Sequence, residues 1–320
     1  MASLLAFAAD AKDAKKPAAS GLQTPGVRVQ FDALKAEAEI QLEAAPAGVV
    51  FTNEIVAAAG SKLQRFEAKT NKAGESAPGP GRACGALINA HQAFWTFDCA
   101  ASALLKLEGK PQKILGKLEA GAVDSMQALA ASADSVWLVA DSRTSLLRID
   151  PARMAVAADI RLPPGCSALS FAENSLWVGC PDLDKVLRID PATNLVDKRI
   201  DVAGRPSAIA AGEGYIWVHL RKAGKVAQID PKSNKVTSTI DLGVPDVAAT
   251  MAFGEGSVWI SMPGFPLTRL HAAAAKVVQQ FAGAGPSQVF YGLNSVWLAN
   301  PEKNTLHRFD PKRIAATLAD

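Results

Sequence analysis

Residues 206–242 read PSAIAAGEGYIWVHLRKAGKVAQIDPKSNKVTSTIDL, and their punctuation decides the fold. Pro206 opens a short apolar run, and Gly212-Glu213-Gly214 then turns the chain, because glycine accepts positive φ at no steric cost. Residues 215–220 form a second apolar run, and residues 221–225 are polar. A third run at 226–229 ends at Asp230-Pro231-Lys232-Ser233-Asn234. There the Asp side chain can accept bonds from backbone N–H groups ahead of it, and Pro presets φ. Residues 235–242 are rich in Val, Thr and Ile, which suit a pleated surface. The stretch is therefore expected to fold as four short antiparallel strands.

The same pattern recurs along the chain. Trp95, Trp137, Trp177, Trp217, Trp259 and Trp297 are spaced by 42, 40, 40, 42 and 38 residues, and each follows an apolar residue. Phe51, 44 residues before Trp95, is expected to stand as the seventh, degenerate member. A second series, Phe66, Leu107, Ile149, Ile189, Ile229, Leu270 and Phe309, keeps the same period, and four of its members precede Asp-Pro. Four strands per forty residues is the signature of a propeller blade. A helical repeat fails because the runs are four to seven residues long, β-rich and separated by Gly or Pro. The predicted fold is all-β: a seven-bladed β-propeller of four-stranded antiparallel blades over residues 26–320. Strands are read at 27–31 and 38–42, and a possible fourth strand of the last blade at 314–318. One N-terminal strand is expected to complete that blade and close the ring. Which one does so stays open.

Residues 1–25 differ from the rest. The apolar run MASLLAFAA and the Ala- and Lys-rich stretch after it are expected to form a flexible arm. The run is either the tail of a secretion signal or simply the chain's end. The 320 residues carry a net charge of +3 with Lys and Arg scattered among Asp and Glu, so no nucleic-acid partner is expected. No stretch of 18 apolar residues exists, so no transmembrane segment is expected.

The four cysteines form two matched pairs, Cys84 with Cys99 and Cys166 with Cys180. The first of each pair lies 11 residues before a repeat Trp, the second 4 or 3 after it. Folding the first hairpin of a blade about residues 91–92 or 173 sets the partners opposite one another, at the separation a disulfide needs. Free buried thiols and a four-cysteine zinc site are the alternatives, although no C-x-x-C spacing supports the second. Two disulfides would place the protein in the periplasm or outside the cell.

The run Ser175-Leu176-Trp177-Val178, continuing through Val186-Leu187-Arg188-Ile189-Asp190-Pro191-Ala192-Thr193-Asn194 and Arg205-Pro206-Ser207-Ala208-Ile209, resembles bacterial propeller repeats of the YVTN type. It is also similar to repeats of the streptogramin B (virginiamycin B) lyase-like superfamily, over roughly residues 45–311. In the lyase itself the resemblance implies a Mg²⁺-assisted ring opening of a cyclic depsipeptide, with a His and Glu residues on the top face. The lyase repeats typically carry Thr-Glu after the aromatic strand. The corresponding dipeptides here are Phe97-Asp98, Val139-Ala140, Gly179-Cys180, His219-Leu220, Ser261-Met262 and Ala299-Asn300, none with Glu.

Ligand chemistry is expected on the face that collects the loops after the second strand and the loops entering the first. The binding candidates there are Arg143, Asp182, Asp184, Arg205, Arg221, Asp246 and Asn300, among a wider polar set of Arg82, Asp98, Asp141, Lys222 and Glu302. His219, two residues after a repeat Trp, is the catalytic candidate if there is one. His91 and His271 are expected in turns and His307 on a third strand. No nucleophile elbow, phosphate loop or clustered metal ligands appear, so no metal or cofactor is expected, with Mg²⁺ only for a lyase-like protein. The expected role is a non-catalytic scaffold for a protein or small-molecule ligand, possible forms including an accessory subunit of an envelope complex. A lyase or lactonase acting at the channel mouth is the alternative.

Overall fold

A computed structural model describes residue 22 and residues 26–316, except 75, 109–112, 122–124 and 141–142. The arm expected over residues 1–25 thus lies almost wholly outside the described residues. Seven sheets are arranged as successive blades. Blade 1 comprises Pro46–Phe51, Glu54–Ala59, Lys62–Glu67 and Ala77–Pro78, and blade 2 Ala83–Ala90, Ala93–Asp98, Ala103–Leu107 and Ile114–Glu119. Blade 3 holds Leu129–Ala131, Val136–Ala140, Ser145–Asp150 and Ala155–Arg161, and blade 4 Ala168–Ala172, Ser175–Cys180, Lys185–Asp190 and Leu195–Asp201. Blade 5 holds Pro206–Gly212, Tyr215–Leu220, Lys225–Asp230 and Lys235–Asp241, and blade 6 Thr250–Gly254, Ser257–Met262, Phe265–His271 and Lys276–Ala282. Blade 7 begins with Gln288–Gly292, Ser295–Asn300 and Thr305–Phe309.

The N-terminal strand Ala38–Gln41 is the one that closes the ring. It pairs antiparallel with Thr305–Phe309 as the fourth strand of blade 7, with Ile40 opposite Leu306. The other N-terminal strand, Arg28–Gln30, runs parallel along the outer strand of blade 6 and gives that sheet a fifth strand. Of the strand expected at 314–318, residues 314–316 belong instead to a short helix, Pro311–Ala316, and residues 317–318 lie outside the described residues. Asp310 starts it: its carboxylate accepts from Lys312 N at 2.8 Å, its carbonyl accepts from Ile314 N, and Pro311 has the φ a first helical residue needs.

The six tryptophans occupy one ladder position, each on the second strand and opposite a third-strand residue: Lys106, Arg148, Arg188, Gln228, Arg269 and Arg308. All six are fully buried between blades. The seventh member is not Phe51. Val56 stands opposite Arg65 in blade 1, while Phe51 ends the inner strand before the hairpin turn. Phe51 belongs to a different series, with Phe171, Phe253 and Tyr291. Its ring stacks on Trp297 of blade 7, centroids 5.4 Å apart. Glycine makes room for that series: a Cβ on Gly254 would sit 2.3 Å from the Tyr291 ring.

Arginine ties the blades together. Arg188 lies over Trp177 at 5.2 Å, donates Nε to Ser175 Oγ, and reaches blade 5 at Pro231 O (2.7 Å) and Asn234 Oδ1 (2.9 Å). Arg148 repeats this between blades 3 and 4, and Arg308 carries it across the closure to Ala68 O of blade 1 at 3.0 Å. Pro151 O likewise accepts from Lys106 Nζ of blade 2 at 2.7 Å, and all three Asp-Pro turns are capped as expected, Asp150, Asp190 and Asp230 each accepting from backbone N–H ahead of them. His271 takes the place of Asp in blade 6 and its Nδ1 meets Ala274 N at 3.3 Å.

Candidate functional site

The loop face is built where each inner strand begins and each second strand ends. Two disulfides, Cys84–Cys99 and Cys166–Cys180, join these two points in blades 2 and 4, with Cα atoms 5.9 and 4.0 Å apart. A bulge between Cys84 and Leu87 sets Cys84 opposite Phe97, so the first pair bridges diagonally rather than squarely. In blade 4 the ladder also runs one residue off the expected pivot, with Ala168 opposite Gly179.

Inside that rim lies a cavity of about 310 Å³, lined by Leu87, Ser125, Gln127, Ser207, Thr250 and Met251 among others. Its polar groups bind the inner strands to one another. The Gln127 amide accepts from Ile209 N at 2.8 Å and donates to Ile209 O at 2.9 Å, while its own carbonyl accepts from Leu169 N. One glutamine thereby links blades 3, 4 and 5. Thr250 Oγ1 accepts from Val289 N at 2.8 Å and links blades 6 and 7. Sequence reasoning missed both residues. The only signal was a neutral polar side chain beside the start of an inner strand.

Of the candidates read from sequence, five lie in one row over blades 4 to 6. Asp182 pairs with Arg205 at 2.7 Å, both largely exposed. Asp184 Oδ1 accepts from Gly204 N and Arg205 N at 3.1 and 2.6 Å, bonds that hold its carboxyl below the usual carboxylate range. Arg221 N donates to Arg205 O, and Asp246 N donates to Arg221 O, which carries the row on to blade 6. Arg143 and Asn300 stand apart, on blades 3 and 7. Asn300 is buried and its Oδ1 accepts from Glu302 N and Lys303 N in a turn. Asp98 likewise receives four backbone N–H groups. Asp141 lies outside the described residues.

His219 is not on the loop face. Alternation along Tyr215–Leu220 turns it the same way as Trp217, into the space between blades 5 and 6, where it is fully buried. Its Nδ1 lies 2.8 Å from Ser207 Oγ, and its Nε2 has no hydrogen-bond partner within the described protein. Burial, with the Arg221 charge adding to it, pushes its pKa down to about 4. The imidazole is therefore neutral at pH 7 and reaches the cavity only through the Ser207 hydroxyl.

These donors do not fit the Mg²⁺ that the lyase resemblance implies. Among the described residues no three His, Cys, Asp or Glu side chains converge. Asp98 and Asp184 are tied to backbone amides, Asp182 to Arg205, and His219 to Ser207. A hard cation needs several free oxygens in one place.

No protein-family model matches the sequence, and no curated protein matches it. Solved structures do. A streptogramin B lyase structure aligns with a TM-score of 0.71 and 16% identity, over 85% of this chain and 96% of that one. Selenomethionine-substituted virginiamycin B lyase from Staphylococcus aureus aligns at 0.69 and 15%, over 85% and 97%. A catalytically inactive His-to-Ala variant of that lyase, with quinupristin, aligns at 0.70 and 15%, over the same shares. At such identities the likeness speaks for architecture and not for chemistry. The chain is a seven-bladed β-propeller that shares its fold with virginiamycin B lyase.

Proposed function

We propose that this chain is a non-catalytic recognition propeller acting in the periplasm or outside the cell. It takes a protein or small-molecule ligand on its loop face, one such role being an accessory subunit of an envelope complex. The observation that carries this reading is how the face is wired. The carboxylates of Asp98 and Asp184 are spent on backbone turns and that of Asp182 on Arg205, the nearby imidazole of His219 is buried and neutral, and the channel mouth is lined by hydroxyl, amide and apolar groups. Such a lining binds by shape and hydrogen bonding, and it offers no activated base. Two disulfides support an oxidising compartment, and among the described residues no helix is long and apolar enough to cross a membrane.

The test is incubation with quinupristin and Mg²⁺, followed by mass spectrometry for the ring-opened product. No product is expected. Mg²⁺-dependent opening that is lost in His219→Gln would replace this reading with the metal-dependent lyase or lactonase.

A further inference from the structure

Six of the seven wedges between blades are filled by an indole. Each Trp donates its N–H to the hairpin around five residues upstream, at 2.9–3.2 Å. Five of the rings lie beneath a third-strand cation, 5.2–5.7 Å from the centroid. Between blades 1 and 2 the ladder position belongs to Val56, which packs against Phe94, Leu105 and Leu107 of blade 2. The cation remains: Arg65 stands opposite Val56 and turns instead over the Phe94 ring, 6.0 Å from its centroid. Two neighbouring positions differ from their counterparts at the wedge between blades 6 and 7. Where Gly254 of blade 6 receives the Tyr291 ring of blade 7, blade 1 has Thr52, and blade 2 has Asn89 in place of the ring.

With Val56 in place of the indole, this wedge holds a cavity of about 270 Å³, lined by Thr52, Asn53, Arg65, Asn89, Gln92 and Phe94 among others. It opens on the hairpin face, opposite the loop face, and shares Thr52 and Asn89 with a larger basin of about 480 Å³ at that end of the channel.

We infer that this slot is a binding site for a planar aromatic ring carrying an N–H donor, a ligand of the indole class. The fit follows from the other six wedges, which show what this framework accepts. The wall offers a buried aromatic face in Phe94 and the guanidinium of Arg65, and both favour a π-system. The Arg65 charge is met by Glu54, so the slot does not call for an anion. Asn53, Asn89 and Gln92 supply a polar rim for the N–H. Size agrees: an apolar void of about 150 Å³ takes benzene, so a slot of this volume has room for a bicyclic ring. The site is on the other face from the proposed ligand surface and does not rest on it.

Indole itself is the probe, titrated into the whole chain and followed by calorimetry and amide chemical shifts. Saturable binding is expected, with shifts centred on Arg65, Asn89 and Phe94. Val56→Trp fills the wedge from within, as in the other blades, and should weaken binding by roughly tenfold or more. Asn89→Trp does the same from the exposed mouth, and decides the matter if the buried substitution fails to fold by near-ultraviolet circular dichroism. N-acetyl-tryptophanamide binding as well as indole would support a peptide-borne ring, and indole binding alone a free small molecule. No saturable binding, equal affinity for cyclohexanol, or undiminished affinity in the folded variants would overturn the assignment.

Discussion

Strand alternation aims Trp217 into the space between blades 5 and 6, and it aims His219 there as well. For the indole this is burial of a large apolar surface. For the imidazole it fixes the charge state, because a buried imidazolium would lack water and would face Arg221. The linkage has a definite sign. The unfolded chain takes up this proton near pH 6.5 and the folded chain only near 4, so the stabilisation is whole above pH 6.5 and is lost as pH falls toward 4. The loss amounts to about 3 kcal/mol across that window. His307, also lowered by burial, adds a share in the same direction. The carboxyls of Asp98 and Asp184 are held low by backbone amides, and their contribution begins to fail only below their ordinary value of 3.8, a separate window. Urea unfolding at several pH values should show the steep limb between pH 6.5 and 4 in the native chain, largely flattened in His219→Gln. An unchanged slope in the variant would mean that His219 is not the titrating group.

At the scale of the element, each disulfide staples the entry of an inner strand to the exit of its neighbour. The closed loops are short, with sequence separations of 15 and 14, so each bond should stabilise the fold by about 3 kcal/mol. The two lie in different blades, 2 and 4, with blade 3 between them, so their effects should add. Denaturant curves of Cys84→Ser/Cys99→Ser, Cys166→Ser/Cys180→Ser and the combined variant check both statements. A combined loss well short of the sum would show that the stapled hairpins are coupled. The elements also show what was legible in the sequence. Trp and Asp-Pro at a period near forty announced the blades, because each has a fixed place in the ladder. Phe51 misled because two aromatic series run in this repeat, one on the inner strand and one on the second, and only pairing partners separate them. The helix at Pro311–Ala316 replaced an expected strand because Ala38–Gln41 had already taken the outer place. At the loop face the residue types were legible but their duties were not. A carboxylate capping a turn, as Asp184 does, reads the same in sequence as one awaiting a ligand, and a His on a second strand reads as near the face until alternation assigns its side.

For the molecule as a whole, the closure decides whether seven blades act as one body. Blades 1 to 6 each draw their four antiparallel strands from consecutive chain, blade 6 adding Arg28–Gln30 at its edge, while blade 7 borrows its fourth strand, Ala38–Gln41, from the far end of the chain, four residues paired with Arg308, His307, Leu306 and Thr305. Further contacts secure the seam between blades 7 and 1: Phe51 on Trp297 and Arg308 on Ala68 O. Such pairings between distant parts of a chain form only after a large loop is closed, so they are the costly step in ordering the ring. Opening them would leave the third strand of blade 7 as a bare edge, a template for pairing with another chain. Ile40 is the place to test this, since it is 4% exposed and opposes Leu306. Ile40→Pro removes a strand N–H and the buried side chain together, and should cost about 3 kcal/mol or more. It should also bring a concentration-dependent rise in oligomer on gel filtration, which the exposed Glu39→Ala beside it should not. If Ile40→Pro shows no more oligomer than the native chain and unfolds at the same denaturant concentration, the N-terminal strand is an accessory to a ring held shut by its side-chain seam alone.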